Sequence, residues 1–247
     1  MNIMKLFKDK KVIIAGPCSF GSYKELDEIA SALKEVGIDI LRAGTFKGRT
    51  SPDTFQGLGE KGIEILLEIR EKYQIPIITE LTSIEQVRKY GEKLDIIQIG
   101  ARNMYNYELL KEVGKLNTPV LLKRGISATY NEWILAAEYI KREGNNNIIL
   151  CERGIRGFDP ITRNVLDIAV VPYIKKNTKY PVIVDPSHAS GIRYMIKPLS
   201  LASIVAGADG LIIEAHTKPN KSLSDSVQTV DVKTIKEIKE NIEKFNI

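Results

Sequence analysis

The chain has 247 residues, 43% hydrophobic and 27% charged, an ordinary globular composition with room for one large core. Its 36 Lys and Arg against 31 Asp and Glu leave a formal charge of +5, which favours small anionic ligands. The cations are scattered and aromatics are only 7%, which argues against a nucleic-acid surface. No apolar run approaches the roughly 20 residues that span a bilayer, so no membrane partner is expected. "MNIMKLFKDKK" lacks the apolar stretch of a secretory leader. Cys18 and Cys151 alone make no disulfide framework, and a cytoplasmic protein with reduced thiols is expected.

Short β-branched runs follow one another along the chain. They are Val12–Ala15, Ile38–Ala43, Ile77–Glu80, Ile96–Ile99, Val120–Lys123, Ile148–Cys151, Val182–Asp185 and Leu211–Glu214. Amphipathic stretches separate them, among them "YKELDEIASALKEVG", "EKGIEILLEIREKY" and "NEWILAAEYIKREG", with Gly37 and Gly144 placed as helix C-caps. Trp133 is expected to meet the barrel wall from its helix, and "GNNNI" reads as a turn. The last helix is expected within "VDVKTIKEIKENIEKF". Eight βα units predict an α/β protein folded as a (β/α)₈ TIM barrel. An open doubly wound sheet is the alternative, but no GxGxxG follows the first strand. With no linker or change of composition, one domain over residues 1–247 is expected, residues 1–10 being a short extension.

In such a barrel, chemistry belongs at the C-terminal ends of the strands. There the sequence sets Cys18, Arg42, Glu80, Arg102, Lys123, Glu152 with Arg153, Asp185 with His188, and Glu214, with Asp225 in the loop beyond. A purely structural barrel has no reason to collect charge at one end, because desolvating it is costly. Arg42, Lys47, Arg49, Arg102, Lys123 and Arg153 are too many cations for one phosphate and suggest substrates with several negative charges. The string "KGRTS", Lys47–Ser51, suits a phosphate-holding loop, although alone it also reads as a basic surface turn. Cys18, His188, Glu214 and Asp225 form a mixed thiol, imidazole and carboxylate set suited to a divalent transition metal. Three have a blander role when taken alone: an inert thiol, a structural histidine, a helix-capping aspartate; Glu214, a carboxylate ending an apolar strand, needs a partner. His216, two residues past Glu214, shares its strand face if the strand continues. Alternation from Arg153 sets Cys151 inside the barrel, and Cys18 is expected to be the more accessible thiol.

The strings "AGPCS", "LRAGTFKGRTSPDTFQGLG", "IQIGARNMYNYELL", "LLKRG", "LCERGIRGFD", "VDPSHASG" and "IIEAHTKPNKSLSDSVQ" resemble the DAHP synthase family, type I beta, from about Val12 to Val230. The resemblance implies a metal-dependent barrel of the shikimate pathway that condenses phosphoenolpyruvate with erythrose 4-phosphate and water. It implies metal ligation by Cys18, His188, Glu214 and Asp225, with Mn²⁺ first and Fe²⁺, Zn²⁺ or Co²⁺ compatible. Phosphoenolpyruvate would meet Arg42, Lys47, Glu80, the Ala101 backbone, Arg102, Lys123 and Arg153. The aldehyde phosphate would meet Arg49, Thr50 and Ser51, with Asp225 shared between metal and substrate. The implied catalytic set is Lys47, Glu80, Lys123 and His188, and the implied assembly a homotetramer or homodimer. Gly48 stands where the family usually has proline, which loosens the aldehyde loop.

Two rivals remain at this point. One is 3-deoxy-D-manno-octulosonate-8-phosphate synthase, which uses arabinose 5-phosphate and whose loop is typically one residue longer. The other is a non-catalytic sugar-phosphate-binding barrel, which would not need the four-donor set. With so little chain outside the barrel, insensitivity to aromatic amino acids is expected.

Overall fold

The computed structural model describes residues 2–48, 51 and 53–244. A first helix, α1 (Ile3–Asp9), precedes strand β1 (Val12–Gly16), α2 (Tyr23–Val36) and β2 (Ile40–Arg42). Then come α3 (Glu60–Tyr73), β3 (Ile77–Glu80), α4 (Ile84–Tyr90), β4 (Ile96–Ile99), α5 (Tyr107–Gly114) and β5 (Val120–Lys123). The second half holds α6 (Tyr130–Arg142), β6 (Ile148–Glu152), α7 (Val170–Asn177), β7 (Val182–Val184), α8 (Pro186–Ser190), α9 (Arg193–Val205), β8 (Gly210–Glu214) and α10 (Val232–Lys244). The strands are parallel, pair in sequence order, and close where β1 pairs with β8. This is a (β/α)₈ barrel.

Local signals place the helices. Ser22 and Ser83 cap α2 and α4, and Thr129 with Glu132 forms a capping box on α6. Gly37 ends α2 in the left-handed region, φ 76°, where a side chain would be strained. Gly144 lies one residue beyond the Glu143 cap of α6, also with positive φ. Trp133 is fully buried and donates its indole N–H to the Leu122 carbonyl at 3.1 Å.

Strand alternation builds two cores. Outward residues such as Ile13, Ala15, Leu41 and Ile97 pack under the helices. Inward residues Ile14, Ile40, Ile78, Ile96, Leu121, Ile149, Ile183 and Ile212 fill the barrel. Helix α1 is more than an extension: Ile3 and Phe7 join that interior cluster and close the barrel at the N-terminal end of its strands. Burying each such side chain stabilises the fold by about 1.5–3 kcal/mol.

The same alternation makes the functional end. Two residues beyond the interior layer, the inward positions become Arg42, Glu80, Gln98, Lys123, Asp185 and Glu214. Register keeps them level: Glu80 lies beside Gln98, and Gly16 beside Glu214. Gly16 is required there, since a Cβ on it would meet the Arg42 carbonyl oxygen at 2.0 Å.

Candidate functional site

The polar layer opens into a cavity of about 370 Å³ at the C-terminal mouth of the barrel. Its cationic side is lined by Arg42, Lys47, Arg102, Lys123 and Arg153. Glu80, Ala101 and Ser51 line it as well, whereas Arg49 and Thr50 lie outside the described residues. Cys18, His188 and Asp225 line the same cavity, and Glu214 is fully buried beside His188.

Four donor atoms, one each from Cys18, His188, Glu214 and Asp225, lie within 4.8 Å of one another. His188 Nε2 is 3.2 Å from Glu214 Oε1 and 3.9 Å from Cys18 Sγ, while Cys18 Sγ is 3.1 Å from Asp225 Oδ2. Lys47 places its ammonium against Cys18 Sγ and, at 2.9 Å, against Asp225 Oδ2. A cation already held by two of four convergent donors shows that the concavity suits positive charge, and the thiol, imidazole and carboxylate mixture suits a divalent transition metal. Asp225 reaches in from a left-handed backbone, φ 56°, a conformation that aspartate tolerates better than most residues.

Burial and charge set the protonation states. Burial pushes the Cys18 thiol well up, reinforced by Glu214, so a bound metal would have to displace its proton. Burial lowers His188 despite the pull of Asp185 and Glu214, which favours the neutral imidazole that a metal requires. Burial alone would raise Asp225, but Lys47 outweighs it and holds the carboxylate well below its usual range. Glu80, with Gln98 Nε2 donating at 3.1 Å, is raised by burial in spite of Lys123. Gly100 makes room for that carboxylate, because a Cβ there would meet Glu80 Oε1 at 2.1 Å.

Several residues have places that sequence reasoning did not assign. Asp185 caps α8, with Pro186 at its first position, and accepts from both Lys123 and His188. The Asp-Pro-x-His string carries that capping signal. Gln228 donates to Glu214 Oε2 at 2.7 Å, and Arg163 lies 3.3 Å from Asp225 Oδ1 while lining the cavity. Both come from loops without periodicity, and no local pattern marks them. Glu152 sits at a strand end but turns away from the cavity, pairing with Arg124 and accepting the Gly154 N–H.

One expectation is corrected. His216 does not share the Glu214 face: β8 stops at Glu214, and His216 bonds Glu25 of α2 at 3.0 Å and accepts the Lys218 N–H. Cys18 is the more accessible thiol, as expected, since it lines the cavity and Cys151 does not, but the margin is small: 2% exposed against 0%, and burial pushes both thiols up. Cys151 lies in the barrel interior.

A family model described as the DAHP synthetase I family matches residues 3–246. The phospho-2-dehydro-3-deoxyheptonate aldolase of Thermotoga maritima is 50% identical over 233 residues, covering 94% of this chain and 69% of its own. A 2-dehydro-3-deoxyphosphooctonate aldolase of Desulfotalea psychrophila is 32% identical, covering 92% of this chain and 86% of its own. The crystal structure of the Thermotoga maritima DAHP synthase superposes with a TM-score of 0.92 at 50% identity, over 96% of this chain and 69% of that one. A truncated form of 3-deoxy-D-arabino-heptulosonate 7-phosphate synthase from the same organism gives 0.88 at 46% identity, over 96% and 86%. With its family matched nearly end to end on a barrel of the same shape, the chain belongs to the DAHP synthetase I family.

Proposed function

We propose that the chain condenses phosphoenolpyruvate with D-erythrose 4-phosphate and water, giving 3-deoxy-D-arabino-heptulosonate 7-phosphate and inorganic phosphate. The observation that carries the assignment is the adjacency of a cationic wall and a four-donor cluster in one cavity. Family membership and the 50% identical relative support the heptulosonate reaction over the octulosonate one. So does the Lys47-Gly48-Arg49-Thr50 spacing.

Arg102, Lys123 and Arg153 receive the carboxylate and phosphate of phosphoenolpyruvate. Arg153 Nη1 and Arg42 Nη1 are buried donors with no hydrogen-bond partner among the described residues, so an anion there satisfies them. Neutralising those charges lets the electron-rich alkene approach a second phosphorylated molecule. Arg49, Thr50 and Ser51 hold the phosphate of erythrose 4-phosphate.

The C3 methylene carbon of phosphoenolpyruvate then bonds to the aldehyde carbon, and the aldehyde oxygen gains a proton from Lys47. Water adds at C2 as a proton leaves it toward Glu80. The resulting hemiketal phosphate breaks its carbon–oxygen bond as its hydroxyl proton passes to the departing phosphate, leaving the ketone. Lys123 steadies the charge at C2 and its phosphate during that collapse.

Cys18, His188, Glu214 and Asp225 would hold one divalent metal. Bound there, Mn²⁺, Fe²⁺, Zn²⁺ or Co²⁺ supplies Lewis acidity toward a carbonyl oxygen. The resemblance further supports a cytoplasmic homo-oligomer, which sedimentation of the purified protein would test. Phosphate release, assayed with erythrose 4-phosphate and arabinose 5-phosphate side by side, tests the function. Preference for arabinose 5-phosphate, or no release with either, would overturn it.

A further inference from the structure

Asp185 takes no part in the chemistry set out above, yet few polar groups of the barrel are more constrained. Its side chain is fully buried. Oδ1 accepts the His188 backbone N–H at 2.9 Å and so fixes the turn that carries the imidazole. Oδ2 accepts from two side chains at once, Lys123 Nζ at 2.6 Å and His188 Nδ1 at 2.7 Å. Those donors serve different groups of the site. Lys123 lines the cationic wall, whereas His188 presents Nε2 to Cys18 and Glu214.

We propose that Asp185 is a positioning residue that couples the anionic-substrate half of the site to the metal half through this one shared oxygen. The inference rests on the condensing-enzyme reading. An imidazole that donates Nδ1–H to a carboxylate is held in the tautomer whose Nε2 lone pair is available to a ligand. Lys123 competes for the same carboxylate oxygen. An anion arriving at Lys123 engages its ammonium with other oxygens and leaves Oδ2 to His188. Substrate therefore tightens metal binding, and by linkage metal tightens substrate binding by the same factor. Direct attraction between anion and metal adds to this, but it does not pass through Asp185 and is separable by substitution there.

The test is chelator competition on the Mn²⁺-loaded enzyme, following released Mn²⁺ with and without phosphoenolpyruvate. In wild type, phosphoenolpyruvate should tighten Mn²⁺ by about tenfold or more. Asp185→Asn keeps the side-chain size and the capping oxygen but turns an amide N–H₂ toward Nδ1, favouring the wrong tautomer. It should weaken Mn²⁺ by about 10–100-fold and cut the substrate effect to roughly threefold or less, the direct attraction alone. Asp185→Glu, which restores a carboxylate, should recover part of the substrate effect; a merely structural role would not follow charge in this way. Should Asp185→Asn fail to fold, Asp185→Ser keeps a capping oxygen, removes the shared acceptor and carries the same comparison. Equal tightening in wild type and variant would overturn the coupling, as would a wild type that turns over substrate while its Mn²⁺ affinity ignores phosphoenolpyruvate. A loaded wild type that releases no phosphate from the two substrates would instead overturn the functional reading beneath it.

Discussion

Lys47 Nζ lies 2.9 Å from Asp225 Oδ2 and donates to Cys18 Sγ in the same pocket, so one ammonium occupies two donors of the four-residue cluster. A divalent cation arriving there competes with it. Excess chelator should therefore abolish turnover, and a divalent transition metal should restore it. Cys18→Ser should lose metal affinity far more than it loses folding. Lys47→Met should bind metal at least as tightly as wild type while losing turnover, because the competing cation and the proton donor go together. Elemental analysis beside phosphate release reads both; full activity in chelator would contradict the arrangement.

The orphaned guanidinium of Arg153 separates binding from stability. Burial lowers its proton affinity, and its Nη1 lacks a hydrogen-bond partner among the described residues. Arg153→Ala should cost about 2–5 kcal/mol in phosphoenolpyruvate use, roughly 30-fold to several-thousand-fold in kcat/KM. The KM for erythrose 4-phosphate should stay unchanged. Without substrate, melting should be unaffected or raised, since an unsatisfied buried donor has gone. Arg49→Ala should show the reverse substrate pattern. If both variants raise the KM of one substrate and spare the other, the sorting of the two anion sites fails.

How far the site was legible follows from strand periodicity. Ile40, Ile78, Leu121 and Ile212 point inward, so Arg42, Glu80, Lys123 and Glu214 must point inward two residues later. That rule needs only the strand assignments, and these were sharp because the runs are β-branched and bounded. It fails where a strand stops. His216 obeys the same count from Glu214, but the chain leaves β8 through a bridge from Ala215 to Val230 and carries the imidazole to α2. Helix α1 was missed because seven residues with four large apolar side chains give too little periodicity to read. Arg163 and Gln228 arrive on loops, where position is decided by tertiary closure.

Glu80 gives a pH test with a definite sign. Burial raises its carboxyl above the ordinary 4.5, with Lys123 pulling back. Between that value and its folded pKa, the native chain keeps a proton that the unfolded chain has released. Stability therefore falls as pH rises through the window, and the loss is complete above the folded pKa. Glu80→Gln removes the effect. The variant should match wild type below pH about 4.5 and become the more stable protein above the folded pKa. Its kcat should fall by about 10²-fold if Glu80 moves a proton. Urea midpoints across a pH series check the first part; a gap that does not change with pH would refute it.

Phe7 tests the barrel floor apart from the chemistry. It is 4% exposed and packs with the interior residues at the end opposite the cavity. Phe7→Ala should cost about 3 kcal/mol and leave both KM values within twofold. A loss of activity at temperatures where the variant is folded would show that the floor reaches the mouth.

Gly48 is the last described residue before Arg49 and Thr50, in the loop proposed to hold the aldehyde phosphate. Among the described residues nothing around it demands glycine: a Cβ built there meets none of their atoms within 4 Å, and its φ is not positive. What glycine adds is backbone freedom, which must be given up when the loop closes on a phosphate. Proline at a compatible position recovers about 0.4–1 kcal/mol by restricting the free chain. If the loop is ordered by erythrose 4-phosphate, Gly48→Pro should lower that KM by roughly two- to fivefold. The KM for phosphoenolpyruvate should move less, because Arg102, Lys123 and Arg153 sit on a strand and on other loops and only Lys47 borders this position. Steady-state kinetics with each substrate varied in turn gives the answer. An unchanged KM for erythrose 4-phosphate would mean that the loop is already ordered before the aldehyde arrives, and a raised one would mean that the bound loop needs a backbone angle closed to proline.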